Sequence, residues 1–232
     1  WDAAIAWYEQ ARQVFTDLKQ PANVALVTRN IGDVQRQAKR YADAEATYRQ
    51  ACDIYRQLKN NQELSQTLFA LGNLFRLQNQ FDIAQEEYRQ AVQIYTRNWD
   101  ASLALAWLQL DTQPKLAEQS CQLALKQGEP VHKILAHIGL AALALGQHDQ
   151  RHARAEFKKA RALLATARAV HTVFESQLAA LDIVVRALEA PEQALSAAQA
   201  FDTSTVHSDE RDLIDISFGY LSTLIKRLNN YT

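Results

Sequence analysis

The chain has 232 residues, with 25 basic and 26 acidic side chains and a formal net charge of −1 at pH 7. Hydrophobic residues make up 48% of it and charged residues 22%, which is typical of a folded globular chain and not of a disordered one. Neither half is strongly basic, which argues against nucleic acid or a membrane surface as the main partner. No apolar run reaches the roughly 18 residues of a membrane span, and no signal peptide is visible.

Cysteine usage and the first residue bear on cellular context. Cys52 and Cys121 lie far apart, without the spacing of a metal or redox motif. We interpret them as reduced, buried thiols, which predicts a cytoplasmic protein. The sequence begins at Trp1 and contains no methionine, so we expect further protein upstream in the form of a covalently linked domain.

Three segments align without a gap and begin at positions 1, 41 and 81, which defines a 40-residue period. They are WDAAIAWYEQARQVF from Trp1, YADAEATYRQACDIY from Tyr41 and FDIAQEEYRQAVQIY from Phe81. In each segment an aromatic residue is followed by Ala, Tyr and Ala at steps of three, four and three residues. Because these steps place all four side chains on one face of a helix, the pattern predicts three helices that pack through that face.

A second matched pair of segments precedes two of these helices. VTRNIGDVQRQAKR and TLFALGNLFRLQNQ place Gly32 and Gly72 at the same 40-residue period, each after Ile or Leu. A glycine inside a helix costs about 1 kcal/mol relative to alanine. We therefore expect both glycines at helix crossings, where the missing Cβ lets a facing helix approach.

A helix with this apolar–glycine pair, followed by an aromatic–Ala–Tyr–Ala helix, resembles the tetratricopeptide repeat. The 40-residue period is similar to that of kinesin light chains, the sensor regions of bacterial STAND signalling ATPases and MalT-like regulators. The resemblance implies an all-α fold, a right-handed superhelical solenoid of antiparallel helix hairpins with about 12 helices. We expect a single domain over residues 1–232, with regular repeats over 1–97, divergent repeats over 98–203 and a C-terminal capping helix over 208–230.

The pattern decays in the divergent part. A fourth packing helix is predicted from Ala117, Cys121 and Ala124. A fifth is predicted from Ala153, Phe157 and Ala160, and Gly139 takes the small position in the helix before it. A sixth, more divergent pair of helices is expected between residues 167 and 201.

The resemblance also implies a binding surface. In this family the first helix of each hairpin lines a concave groove that holds peptides. The 40-residue offset carries this over to two matched trios, which we call the first-helix face: Arg29, Asp33, Arg36, Phe69, Asn73 and Arg76. The amide of Asn73 suits one peptide unit, the arginines suit carboxylates, and Phe69 offers an apolar platform. The alternative is a solvated face with an incidental aromatic residue.

Farther along the chain the equivalent positions become apolar. They are Ser102, Ala106, Gln109, Ala136, Leu140 and Leu143. One interpretation is a mixed groove for an amphipathic ligand. The favoured interpretation is that the C-terminal helix covers these positions as a cap, because solenoids need capped ends.

Three other features are weighed against this surface. Some family members hold the C-terminal carboxylate of chaperones with a Lys and an Asn four residues apart, but here Asp33 gives that pair the wrong charge. A basic stripe, defined as Arg151, Arg154, Lys158 and Arg161, is either a rival docking surface for an acidic partner or phosphates, or a solvated face. His148 and His152 have a spacing that allows a shared metal, but we interpret the neighbouring sequence as lacking a Glu or Cys to complete a site, so no metal is expected.

No motif of a catalytic or phosphate-binding site is present, so we predict no enzyme activity and no cofactor. The favoured function is a protein–protein interaction module that binds a polypeptide partner in the groove. It would be the sensor or scaffold part of a larger bacterial signalling protein, with a STAND-type ATPase favoured. The alternatives are a free-standing peptide-pheromone receptor or regulator, and the non-catalytic repeat half of an enzyme.

Overall fold

A computed structural model describes residues 1–166 and 191–200, together with positions 179, 182, 183 and 219. Within these residues every regular element is an α-helix, and there are ten of them. They are α1 (Asp2–Asp17), α2 (Pro21–Gln37), α3 (Tyr41–Gln57), α4 (Asn61–Leu77), α5 (Phe81–Ile94), α6 (Trp99–Gln109), α7 (Pro114–Gln127), α8 (Pro130–Gly146), α9 (Gln150–Thr166) and α10 (Pro191–Ala200). The all-α fold predicted from the sequence is confirmed, and the number of described helices is close to the expected number.

Helix contacts divide the chain into two compact units, residues 1–102 and residues 103–232. In the first unit α2 packs closely on α3 and α4 packs closely on α5, so each pair is one hairpin of the predicted kind. In addition, α1 packs on α2 and α3 packs on α4. The domain limits proposed from the sequence stay predictions.

The turns of the first unit form a regular 20-residue series. The residue after each helix cap has a positive φ, between 54° and 60°, at Lys19, Lys39, Lys59 and Asn79. The following amide then closes the helix end, as when the N–H of Arg40 donates to the carbonyl of Gln35 at 2.8 Å. Hydrogen bonds of this kind satisfy carbonyl groups that a helix end otherwise leaves unpaired.

The aromatic–Ala–Tyr–Ala face forms the core of the first unit. Its alanine and tyrosine members in α3 and α5 are fully buried, whereas the leading aromatic residue of α5, Phe81, is 50% exposed. The buried members are Ala44, Tyr48, Ala51, Ala84, Tyr88 and Ala91. The glycine of the preceding helix lies against each tyrosine ring, and a Cβ added to Gly32 would lie 2.7 Å from Cε1 of Tyr48. A Cβ added to Gly72 would lie closer still to Tyr88. The prediction that both glycines lie at helix crossings is confirmed.

A buried polar cluster marks the point where the 40-residue period ends. Helix α5 stops at Ile94, and α6 begins at Trp99. The Ser65 hydroxyl donates to the carbonyl of Ala91 at 2.7 Å and accepts from Nδ2 of Asn98 at 2.9 Å. Because Asn98 also accepts from the backbone N–H of Ala101 at 3.0 Å, it fixes the start of α6.

In the second unit α7 packs on α8, and α8 packs on α9. Gly139 of α8 faces Cys121 of α7, whose Sγ would lie 3.0 Å from an added Cβ. The small residue therefore accommodates the helix before it, whereas Gly32 and Gly72 accommodate the helix after them. Of the predicted sixth pair, α10 is described. The predicted capping helix over 208–230 lies outside the described residues except for position 219.

Candidate functional site

The first-helix face is one surface across two neighbouring hairpins. Arg29 of α2 forms a salt bridge with Glu63 of α4, with Nη1 and Oε2 2.7 Å apart. The same nitrogen donates to Oε1 of Gln66 at 3.1 Å. These contacts hold the equivalent sides of α2 and α4 beside each other, so the two predicted trios lie within one unit and on adjoining helices.

In the α2 trio, Asp33 and Arg36 converge on the hydroxyl of Tyr48. That hydroxyl donates to Oδ1 of Asp33 at 2.6 Å and accepts from Nε of Arg36 at 3.3 Å. Nη2 of Arg36 and Oδ1 of Asp33 lie 3.9 Å apart. Burial, reinforced by the charge of Asp33, raises the pKa of Tyr48 far above its usual value, so the hydroxyl stays protonated. The acidic and basic members of this trio therefore neutralise each other within the protein.

The α4 trio has the same layout but a different charge. The Tyr88 hydroxyl donates to Oδ1 of Asn73 at 2.5 Å, and the ring of Tyr88 lies 5.7 Å from that of Phe69, centroid to centroid. Asn73 is 0% exposed, whereas the sequence suggested an amide open to a peptide. The physical reason is that the tyrosine ring fills the space beside Gly72, so its hydroxyl reaches the residue that follows this glycine.

Several buried donors of the α4 trio have no hydrogen-bond partner in the described part of the chain. They are Nδ2 of Asn73 and the Nε and Nη2 atoms of Arg76. Arg76 is half-buried. The structure thus places an amide donor and a guanidinium, three residues apart on one helix, with unmet hydrogen-bonding capacity.

Sequence reasoning missed the residues that hold this face together. Glu63 and Gln66 bind Arg29, and neither was recognised. The two tyrosines were recognised only as packing residues. The signal that could have found their second role is the fixed distance of 15 residues from Asp33 to Tyr48 and from Asn73 to Tyr88, which a repeat comparison of polar positions would show.

The predicted apolar continuation is not an open groove. All six of its residues are buried: Ser102, Ala106, Gln109, Ala136, Leu140 and Leu143. The mixed groove for an amphipathic ligand and the cap formed by the C-terminal helix both stay predictions. The capping helix that was predicted to cover these residues lies outside the described ranges.

The basic stripe lies on α9, and its side chains are exposed. Three of its members border a cavity of about 480 Å³, which is lined by Gln150, Arg151, Arg154, Ala155 and Lys158. The fourth, Arg161, lies over the ring of Phe157 at 5.4 Å from its centroid. The stripe therefore stays a rival docking surface.

The histidine and cysteine candidates are placed as follows. His148 and His152 are exposed, and Nε2 of His152 lies 3.7 Å from Glu156, a neighbour that the sequence reasoning overlooked. Within the described ranges, no group of three or more His, Cys, Asp or Glu side chains is arranged to hold a metal ion. Burial raises the pKa of Cys52 and of Cys121 to about 12, so neither thiol is a nucleophile near neutral pH.

None of the described helices combines the length and the apolar character needed to cross a membrane.

Comparisons with known proteins agree with the repeat geometry. Two family models match, both described as tetratricopeptide repeat, one over residues 1–57 and the other over residues 65–98. A crystal structure of a tetratricopeptide repeat protein from Parabacteroides merdae superposes with a TM-score of 0.52 at 15% sequence identity, covering 97% of this chain and 99% of that one. At that identity the likeness bears on the fold alone. A search of curated protein sequences gives no match.

These matches do not distinguish the 40-residue subtype, which stays a prediction from the spacing. The two matched ranges contain α1 to α3, most of α4 and all of α5, which are the helices that carry the glycine–tyrosine crossings. The predicted resemblance to the tetratricopeptide repeat is therefore confirmed over residues 1–57 and 65–98.

Proposed function

We propose that this chain is a protein–protein interaction module that holds a polypeptide partner on its first-helix face. The observation that carries the proposal is the contact of Arg29 with Glu63 and Gln66, since it joins equivalent sides of α2 and α4 into one surface. A polypeptide lying across such a surface meets the same kinds of positions twice, once on each of the two helices related by the 40-residue period. Tetratricopeptide repeats generally bind proteins or peptides, which supports the same function.

Proteins of this family generally act as non-catalytic scaffolds. The side chains of the first-helix face suit recognition and not bond breaking. Arg29 is engaged by Glu63, and the Asp33 carboxylate is engaged by Tyr48. Neither buried cysteine has the lowered pKa of a nucleophile. We therefore favour binding over the catalytic alternative.

The test is a selection that needs no known partner. A phage-displayed library of random peptides is selected on the full chain, and bound peptides are located with a photo-crosslinking residue, p-benzoylphenylalanine, at Gln66, Gln50 or Ala155. Gln66 is exposed and contacts Arg29 of the first-helix face, Gln50 is exposed on α3, and Ala155 lies beside the basic stripe. We expect crosslinks from position 66 only.

Two outcomes contradict the proposal. If no peptide is enriched over a bare support, the chain has no general peptide-binding face. If crosslinks form at position 155 and not at position 66, the partner docks on the basic stripe.

The larger context belongs to the same proposal. We infer that the chain is the cytoplasmic sensor or scaffold part of a larger bacterial signalling protein, with a STAND-type ATPase favoured because the 40-residue period resembles such sensors. The gene sequence upstream of Trp1 tests this. A P-loop ATPase domain supports it, whereas a start codon directly before Trp1 favours a free-standing peptide receptor, and a protease or other catalytic domain favours the repeat half of an enzyme.

A further inference from the structure

We propose that the cavity beside the basic stripe on α9 binds a small molecule that carries a phosphate group. The described residues that line this cavity are Gln150, Arg151, Arg154, Ala155 and Lys158. They belong to the second unit, and none of them is part of the first-helix face. A phosphate site here is therefore a second function, independent of peptide binding by the first-helix face.

The basic stripe lies on the side of α9 that is opposite its buried face. The buried residues of this helix are Ala153, Glu156, Ala160 and Leu164, and Glu156 contacts His137 of α8. Arg151, Arg154 and Lys158 follow one another at steps of three and four residues, which places them together on the other side of the helix. All three are exposed, so they are open to a ligand from solvent.

No acidic side chain of α9 neutralises this stripe. Glu156 is the only acidic residue in the helix, and its carboxylate is bound to His137 and Lys159, away from the stripe. Three and four residues to either side of Arg151 and of Lys158, the sequence has Gln, His, Ala or Arg. The stripe therefore carries an excess of positive charge on its own helix.

Four arginines at the surface of earlier helices are neutralised locally. Each is paired with a carboxylate three or four residues before it in the same helix. The pairs are Arg12 with Glu9, Arg49 with Glu45, Arg56 with Asp53 and Arg89 with Glu86. Opposite charges at this spacing stabilise a helix, whereas like charges destabilise it. The basic stripe departs from the pattern of α1, α3 and α5.

The stripe instead sets like charges beside one another. Arg151 and Arg154 are three residues apart, and Arg154 and Lys158 are four apart, so neighbouring side chains on this face repel each other. The carboxylate of Asp149, directly before the helix, is engaged by the backbone N–H of His152 at 2.9 Å. An anion bound between the basic side chains would relieve their repulsion.

The size of the cavity favours a small molecule over a bare ion or a nucleic acid. Its volume is about 480 Å³, within the range of roughly 300–1,000 Å³ that small-molecule sites occupy. An inorganic phosphate ion fills only a small part of such a volume. A duplex presents its charges along an extended rod, and a concave site on one helix receives few of them. The remaining volume is available to the organic part of the ligand, beside Ala155 and the aliphatic stems of the basic side chains.

The charge of the stripe favours phosphate over carboxylate. A phosphate monoester carries a charge of about −1.5 to −2 near pH 7 and three strong acceptor oxygens, whereas a carboxylate carries one charge and two oxygens. The guanidinium of Arg151 can bind two phosphate oxygens at once, and Lys158 contributes a compact charge from about two helical turns away. Arg154 lies between them in the sequence and adds to the positive potential.

The experiment is isothermal titration calorimetry of the full chain with small anions of matched shape. Phenyl phosphate and phenyl sulfate share the aromatic group and a tetrahedral anion, but near neutral pH the sulfate carries about one charge less. Inorganic pyrophosphate is a second phosphate probe that lacks the phenyl group. We expect phenyl phosphate or pyrophosphate to bind at least about tenfold more tightly than phenyl sulfate, because the additional charge meets several basic groups.

Arg151→Gln and Lys158→Gln each remove one positive charge from the cavity. Both side chains are exposed, so the fold should be preserved, which circular dichroism and thermal melting check. Each variant should weaken binding of the phosphate probe by about 3- to 5-fold, and the double variant by about 10- to 25-fold.

The matched control is Arg161→Gln. It removes the same charge from the same helix, but the guanidinium of Arg161 lies over the ring of Phe157 and does not line the cavity. This variant should change the affinity for the phosphate probe by less than about twofold, because salt screens a charge at that distance.

Three results would overturn the proposal. One is that neither phosphate probe binds more tightly than phenyl sulfate. Another is an equal loss of affinity in Arg161→Gln and Arg151→Gln, which means diffuse attraction to the charge of the helix. The third is displacement of the bound probe by a 20-base-pair DNA duplex with a steep salt dependence, which means that the stripe docks a polyanion. None of these results bears on the proposed function, which peptide selection and crosslinking at position 66 test separately.

Discussion

Each regular hairpin depends on a contact between a glycine backbone and a tyrosine ring. Gly72 leaves room for the ring of Tyr88, and the ring in turn carries its hydroxyl to Asn73. Because the tyrosine is fully buried, neither side of this contact has free space in which to adjust. Addition of one methyl group at the glycine should therefore disturb the hydrogen bond that the tyrosine hydroxyl makes.

At this scale we predict that Gly72→Ala destabilises the protein. A Cβ at this position overlaps the ring of Tyr88, so the ring must move away from Asn73. Overpacking of this kind costs about 1–3 kcal/mol, against which alanine's higher helix propensity returns about 1 kcal/mol. Urea unfolding of the full chain measures the net loss.

Gly146→Ala is the control, because nothing lies within 4 Å of a Cβ added there. It should leave stability unchanged or raise it by up to about 1 kcal/mol. Equal behaviour of the two variants would mean that the crossing tolerates a methyl group and that the packing argument is wrong.

Single residues also show where sequence reasoning reached its limit. The repeat spacing predicted that Tyr48 and Tyr88 pack at helix crossings, and the structure confirms this. The family resemblance placed Asp33 and Asn73 on the ligand side, because the first helix of each hairpin lines the groove in this family. In the structure the tyrosine hydroxyl donates a hydrogen bond to the residue after the glycine, Asp33 or Asn73. Helical periodicity predicts which face a side chain lies on but not a hydrogen bond between two helices.

Turns between helices are the next level of organisation, and here the residue types do not predict the backbone conformation. Glycine is the usual residue at a left-handed helix end, since other residues pay a steric penalty there. In this chain three of the positions in the 20-residue series are lysines, Lys19, Lys39 and Lys59, with φ of 54° or 60°. The repeat period fixed where the turns fall, while the left-handed backbone was not predictable from lysine.

We accordingly predict that Lys59→Gly stabilises the protein by about 0.5–1 kcal/mol. Glycine adopts a φ of 54° without the Cβ clash that lysine has. Lys59→Ala is the matched control, since it removes the same charge but keeps the Cβ. Differential scanning calorimetry should show a higher melting temperature for Lys59→Gly alone. The same shift in both variants would refute the backbone explanation.

A buried carboxylate with exposed and half-buried partners joins two helices of the second unit. Glu156 of α9 is bound by Nδ1 of His137 from α8 and by Nζ of Lys159, each at 2.6 Å, while His152 lies 3.7 Å away. Burial opposes ionisation of this carboxyl, but the hydrogen bonds and charges of Lys159 and His137 outweigh it and lower its pKa. The α8–α9 pair therefore gains stability from an ionised Glu156.

The sign of the pH dependence follows from that shift. The folded-state pKa lies below the ordinary value of 4.5, so the contribution is complete above about pH 5 and is lost as the pH falls through the folded value. We predict that Glu156→Gln is less stable than the wild type at neutral pH and that the gap narrows below pH 4.5. Urea unfolding at several pH values measures this difference in the free energy of unfolding. Glu118→Gln, on the exposed side of α7, is the control. A gap that is constant with pH would show that the carboxylate charge contributes nothing.

At the scale of the whole molecule, charge separates a peptide-binding protein from a polyanion-binding one. The formal net charge is −1, so no long-range field draws in nucleic acid. The local positive groups are the engaged arginines of the first-helix face, the Arg76 guanidinium and the basic stripe on α9. Binding of a polypeptide on the first-helix face should then depend on close contacts and not on the total charge.

Salt dependence tests this directly. With a peptide selected on the full chain, we predict that affinity falls by less than about tenfold between roughly 50 and 500 mM salt, since contacts with partly buried groups are only weakly screened. A partner that neutralises many phosphates would lose about 10³- to 10⁵-fold in affinity over a narrower range of salt.

A 20-base-pair DNA duplex serves as the second probe, and the paired change Arg151→Glu with Lys158→Glu removes the basic stripe as a source of charge. We expect no competition from the duplex and no effect of the paired change on peptide affinity. If the duplex displaces the peptide, or if affinity collapses with salt and with the loss of the stripe, the partner is a polyanion bound on α9 and the first-helix face is not the binding surface.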